Sequence, residues 1–436
     1  MGCRLQALPV SNLLIIFISY FALIVSSQDN GAPFSFGARL LEPCNPPVMT
    51  ANATGKHRIG IRRETLSFDN RQLNVSWWYP GTPASGSKPH VASGGIYGQA
   101  VRDAPLDRSN GPYPLIVFSP GVGARDDSYY FYCQNLASHG YTVVSINHLD
   151  STQMKGGGIS ATAMMQAAIY MLQNNSSYTV WLLFSNWFRS THFALTYRPQ
   201  EIDFVLSKAI AANTDPSSPF FGAIDTENIG LTGHSLGAFY TLLKGGGFAI
   251  NCDFPLTAKE SDVNNTVLTE VNICAWPEAK RLNNPKALHN SRIKAIVPLA
   301  APVFIKPSEV PRGASSIETP MLIMTGNDPK FESTIEPQQQ IFDAAKGPKY
   351  MVQIRETDHM MISEAYHFNK NFSAGLPSFL ATNQPTANTQ NFTEKAQIYM
   401  EYSAAFFDVY LKKNVSSKEK LRTKSSDFVA KQQYFG

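Results

Sequence analysis

The chain has 436 residues, 43% of them hydrophobic and 16% charged, an ordinary globular composition with ample material for a large buried core. A formal net charge of +4 is too small to argue for nucleic acid as a partner, and the basic residues are dispersed apart from short groups such as Lys418 to Lys424, which read as solvated surface. No internal repeat or low-complexity tract is visible.

The N-terminus carries the first signal. Arg4 precedes an apolar run from Leu13 to Val25, followed by small residues at Ser26 and Ser27. A positive start, a short apolar middle and a small-residue cut site predict a signal peptide over 1–27. The run is shorter than the roughly 20 residues that span a bilayer. Myristoylation of Met1-Gly2-Cys3 is disfavoured by Gln6, where Ser or Thr is preferred. The expected location is therefore extracellular. Sequons at Asn52, Asn74, Asn174, Asn175, Asn264, Asn371, Asn391 and Asn414 fit that route. Cys44, Cys133, Cys252 and Cys274 remain after cleavage. They read either as two disulfides, with Cys252–Cys274 the favoured pair, or as free buried thiols. Their spacing fits no zinc site.

Residues 28–56 read as an extended segment, and a single domain is expected over 57–412. Alternation predicts strands at 58–62 and 73–79. After a loop rich in Gly, Pro and Ser come strand 115–118, the turn Gly121-Val122-Gly123, a helix through Ala137 and strand 142–146. A helix is predicted over 199–212, with strands at 229–232, 293–300, 321–324 and 350–354 and a long amphipathic helix over 393–412. Residues 413–436 read as a polar tail. Strands alternating with helices imply an α/β fold, its sheet mainly parallel and covered on both faces.

Gly233-His234-Ser235-Leu236-Gly237 matches G-x-S-x-G, a pattern that arises by chance in about one chain of this length in ten. Its position between a strand and a helix is what makes it a nucleophile elbow. Ser235 then needs a base. Partners follow in the order acid, histidine, and His359, just after the 350–354 strand, sits where that base belongs; His367 reads as a surface residue. Asp328, just after the 321–324 strand, is the expected acid. Asp358, adjacent to the histidine, would point away from it. The backbone amides of Val122 and Leu236 are the expected oxyanion donors.

The stretches 115–124 and 135–143 resemble the platelet-activating factor acetylhydrolases and their bacterial dienelactone-hydrolase-like and polyesterase relatives. Asn147-His148-Leu149-Asp150, Trp181-Leu182-Leu183 and Arg198-Pro199-Gln200-Glu201-Ile202 extend the likeness. The resemblance covers roughly residues 57–412. It implies an α/β-hydrolase fold with an inserted helical lid and a cofactor-free serine esterase of 1-alkyl-2-acetylglycerophosphocholine or similar short-acyl phospholipids. Ser235, His359, Val122 and Leu236 fall on matching positions. Two departures stand out. Pro120 replaces a frequent histidine, and the segment after Leu299 offers no carboxylate where the animal enzymes keep their acid, so Asp328 follows the bacterial pattern. Residues 151–197, rich in Met and aromatics, read either as a lid and acyl-pocket wall with transient contact to a lipid interface, or as ordinary helical core. A broader carboxylesterase or polyesterase, an acyltransferase and a non-catalytic binding module remain as alternatives.

Overall fold

Alternation within the central strands decides how they are used. In β6 (Tyr113–Ser119), Leu115 and Val117 belong to one apolar cluster while Ile116 and Phe118 belong to another. Successive side chains of a strand point to opposite faces, so a strand apolar at every position must be covered on both. The computed structural model describes residues 47–92, 95–121, 124–149, 192–247, 257–261, 268–272, 285–302, 310–327, 332–357, 359, 361–364 and 389–435. The signal-peptide reading, most of 151–197 and the Cys252–Cys274 pair lie outside them.

The elements in chain order begin with β1 (Val48–Met49), β2 (Ile59–Phe68), β3 (Arg71–Pro80), β4 (Ile96–Tyr97), β5 (Val101–Arg102) and β6. Then come α1 (Tyr130–Ser138), β7 (Thr142–Asn147), α2 (His192–Thr214), β8 (Ile224–His234) and α3 (Leu236–Lys244). The second half holds β9 (Thr257–Ser261), β10 (Leu268–Asn272), β11 (Ile293–Leu299), α4 (Val310–Ala314), β12 (Met321–Gly326), α5 (Glu332–Ala344) and β13 (Lys349–Ile354). The last elements are α6 (Thr389–Leu411), α7 (Ser417–Arg422) and β14 (Val429–Phe435). Ten strands form the main sheet, in the order β14-β13-β12-β11-β8-β6-β7-β3-β2-β5. From β7 through β13 every neighbour is parallel; β3 and β14 join antiparallel. Ile202 and Val205 of α2, Phe239 of α3 and Ile341 of α5 cover one face. Phe131 and Leu136 of α1 and Phe406 and Phe407 of α6 cover the other.

Four expectations differ from what forms. Residues 413–436, read as a polar tail, contain α7 and β14, and β14 pairs with β13 from Lys349↔Phe435 to Ile354↔Val429. Only Val429 of this edge strand is buried and the rest is half-buried or exposed on both faces, so it lacks the apolar pattern that marks a covered strand. Helix α2 begins at His192 and holds Pro199 in its interior; proline removes one hydrogen bond there without forbidding the turn that follows. Cys133 is a free thiol buried in α1, so a framework of two disulfides does not form. The extended N-terminal segment ends packed on the domain, where the Thr50 hydroxyl donates to the buried carboxylate of Glu364 (2.8 Å).

Candidate active site

Strand β8 ends at His234 and α3 starts at Leu236, leaving Ser235 alone in the turn with φ 54° and ψ −124°. A residue other than glycine at positive φ is strained, and it persists where its surroundings over-determine it. The restraints are visible. Ser235 N–H donates to the Leu299 carbonyl on β11 (3.0 Å). A side chain on Gly237 would overlap the Ser119 carbonyl, and one on Gly233 would meet both Ser119 and Gly237. The two glycines of the motif are there because β6, β8 and α3 converge too closely for a Cβ.

The Ser235 hydroxyl lies 2.8 Å from Nε2 of His359. Burial pushes the His359 imidazole down to about 4, so it is neutral near pH 7 and Nε2 can accept a proton. His359 is held in place from behind, since its backbone carbonyl accepts from Nε2 of His234 (2.7 Å). A carbonyl only accepts, so His234 carries its proton on Nε2. Its Nδ1 then accepts from the Tyr129 hydroxyl (2.8 Å), and that oxygen in turn accepts from Gly121 N–H (3.0 Å).

Asp328 lies outside the described residues, but the loop leading to it does not. Asn327 N–H donates to the Ile354 carbonyl (3.0 Å), and its side-chain oxygen accepts from Glu356 N–H (3.2 Å). The end of β12 therefore abuts the loop that carries His359. Among the described residues His359 pairs with no carboxylate. His367 and Asp358 lie outside the described residues.

Of the two expected oxyanion donors, Val122 also lies outside the described residues, and Leu236 opens α3. First-turn amides have no acceptor within the helix, and the helix dipole there favours negative charge. The described end of the other loop reaches the nucleophile, since a Cβ on Gly121 would stand 3.3 Å from Ser235 Cβ.

This loop rests on a buried cluster that sequence reasoning did not identify. Arg198 on α2 donates to the carbonyls of Pro120 (2.6 Å) and Gly121 (3.3 Å). One turn on, the Glu201 carboxylate accepts from His148 Nδ1 (2.6 Å), and His148 Nε2 faces the Ser119 hydroxyl (2.8 Å). All four side chains are buried, so the Ser119–His148–Glu201 row copies the connectivity of a catalytic triad without access to substrate. A visible signal was the charged pair Arg198 and Glu201 three apart on a helix with an apolar face. Among the described residues no cluster of three or more His, Cys, Asp or Glu is fit to hold a metal. Nor is any described helix long and apolar enough to cross a membrane.

Residues 89–246 match the family model of platelet-activating factor acetylhydrolase, isoform II. That span includes β6, β8, the elbow and the buried cluster beneath it. No curated protein matches the chain. Among solved structures, a ferulic acid esterase from Streptomyces cinnamoneus superposes with a TM-score of 0.55 at 18% identity, over 89% of this chain and 99% of that one. The chain has the α/β-hydrolase fold. With 361 solved chains matching, the fold is a populous one and does not name a substrate.

Proposed function

We propose that the chain is a serine ester hydrolase working through an acyl-enzyme on Ser235. The observation that carries this is the 2.8 Å contact between Ser235 Oγ and a neutral His359, made at an elbow whose strained serine faces the carboxyl ends of the parallel strands. In the first half-reaction Ser235 Oγ bonds to the ester carbonyl carbon and its proton passes to His359 Nε2. The ester C–O bond then breaks and the departing alcohol takes that proton. In the second half-reaction water gives a proton to the same imidazole and bonds to the acyl carbon; the bond from that carbon to Ser235 Oγ then breaks, Oγ takes the proton back from the imidazole and the acid leaves. Asp328 is proposed as the carboxylate that holds His359 Nδ1–H, which the contact between Asn327 and the 354–356 loop supports. The amides of Val122 and Leu236 are proposed as the oxyanion donors.

The family match over 89–246 supports an ester hydrolase and favours short-acyl phospholipids, of the 1-alkyl-2-acetylglycerophosphocholine kind, as substrates. A transient contact with a lipid interface through 151–197 goes with that reading and rests on the segment's composition. The likeness to a ferulic acid esterase makes aromatic acyl esters the second class to test. Extracellular location is part of the proposal, supported by the apolar run 13–25 and by the solvent exposure of the sequon residues Asn52, Asn74 and Asn414. No cofactor is invoked.

The test is a panel of an acetyl-phospholipid, a p-nitrophenyl ester series and a feruloyl ester, run on the secreted chain beside Ser235→Ala. The variant should fold, lose turnover and lose labelling by a fluorophosphonate. Turnover at near wild-type rate in Ser235→Ala would remove Ser235 as the nucleophile.

A further inference from the structure

Three hydrogen bonds that all point the same way join the two loops flanking Ser235. They run from Gly121 N–H to the Tyr129 oxygen (3.0 Å), from Tyr129 O–H to His234 Nδ1 (2.8 Å), and from His234 Nε2–H to the His359 carbonyl (2.7 Å). We propose that Tyr129 and His234 are positioning residues, a neutral strap that holds the base loop and the oxyanion loop at a fixed separation across the nucleophile. The proposal rests on the serine esterase reading and deepens it.

The strap is more than incidental packing for three reasons. Both side chains are 1% exposed, so water cannot replace a lost bond and each deletion leaves a partner unsatisfied. His234 is held well below its ordinary value by burial and by the neighbouring His359, which keeps one ring nitrogen a donor and the other an acceptor. The ring also lies 4.7 Å from that of His359, tilted by 42°, so moving it moves the base. Gly121 has no slack on its other side, because Arg198 holds its carbonyl and that of Pro120. Tyr129 therefore acts on a loop already fixed at one end. A misplacement of about 1 Å at such a site costs on the order of 100-fold in rate.

The experiment compares Tyr129→Phe, His234→Asn and His234→Gln with the wild type for kcat and KM on a p-nitrophenyl ester and for the rate of fluorophosphonate labelling. Tyr132→Phe is the control. It removes an equally buried hydroxyl from the helix that Tyr129 caps, one that bonds Ser403 (2.9 Å) and Thr232 (3.2 Å) rather than the loops beside Ser235. Tyr129→Phe and His234→Asn should lower kcat and labelling by about 10- to 100-fold with KM within about twofold. His234→Gln, whose amide NH₂ falls near the former Nε2, should keep more activity than His234→Asn. The Tyr129→Phe/His234→Asn double variant should be no slower than the worse single one, because both cut the same strap. The proposal is overturned if Tyr129→Phe keeps kcat within about twofold, if Tyr132→Phe loses as much, or if the two losses multiply. Should Tyr129→Phe fail to fold, the two His234 variants carry the same comparison. Labelling of the wild type at Ser235 tests the esterase reading separately, so unaffected variants count against the strap alone.

Discussion

A neutral imidazole in a partly buried site is a ready acceptor but a reluctant cation. Burial takes His359 down to about 4, whereas the proposed reaction requires it to carry a proton between its two halves. A carboxylate at Nδ1 resolves the conflict by stabilising the imidazolium and fixing the tautomer. Asp328→Asn should therefore lower kcat by about 10⁴-fold. Because a negative neighbour raises a histidine's pKa, its loss should also move the acid limb of the pH–rate profile downward. An unchanged kcat and acid limb in Asp328→Asn would leave the acid to another residue. The pairing of Ser235 with His359 could be expected from the sequence because a motif and a chain order single them out. The roles of Tyr129, His148, Arg198 and Glu201 could not: the spacing of Arg198 and Glu201 marks a charged pair on one helix, but not that one holds the carbonyls of 120 and 121 and the other a histidine from a distant loop. His234 was in plain view as the variable position of G-x-S-x-G, but only the fold reveals what its two nitrogens face.

The parallel strands and helices α1, α3 and α6 were legible because their apolar runs are continuous and their turns are glycine-rich, whereas α5, with Pro337 and three successive glutamines, was not expected. Boundaries that depend on tertiary contact were not. Helix α2 extends back to His192 across Pro199, where local preference alone would start it. The most constrained junction is the elbow between β8 and α3. Gly237→Ala should cost about 1–3 kcal/mol, the usual range for overpacking, because the new methyl meets the Ser119 carbonyl of β6, backbone that cannot rotate away. The loss should appear as a lower urea midpoint at unchanged slope, together with reduced turnover. A midpoint equal to wild type would mean that β6 and α3 separate more easily than their packing implies.

The whole molecule stores several histidines in their neutral form. Burial holds His90 at about 4 and His234 well below its ordinary value of 6.5. As pH falls below about 6.5 the unfolded chain binds protons that the folded chain refuses, so stability must decline with acidification until about pH 4. Urea midpoints should accordingly be lower at pH 4.5 than at pH 7. His90 lies far along the chain from the proposed chemistry and accepts from Arg102 (3.1 Å). His90→Gln should therefore flatten that dependence, and an equally steep one would show that His90 contributes nothing to it.

The pairing of β14 with β13 also sets an order of events during synthesis. The outer edge of β13 is complete once residue 354 has been made, but the strand that covers it is made only at 429–435. In the interval an apolar strand with unpaired backbone groups stands open at the margin of the sheet, the kind of edge on which nascent chains associate. That margin closes only after residues 429–435 have been made and have paired back onto β13, so the edge stays open to association for as long as the intervening segment takes to be synthesised.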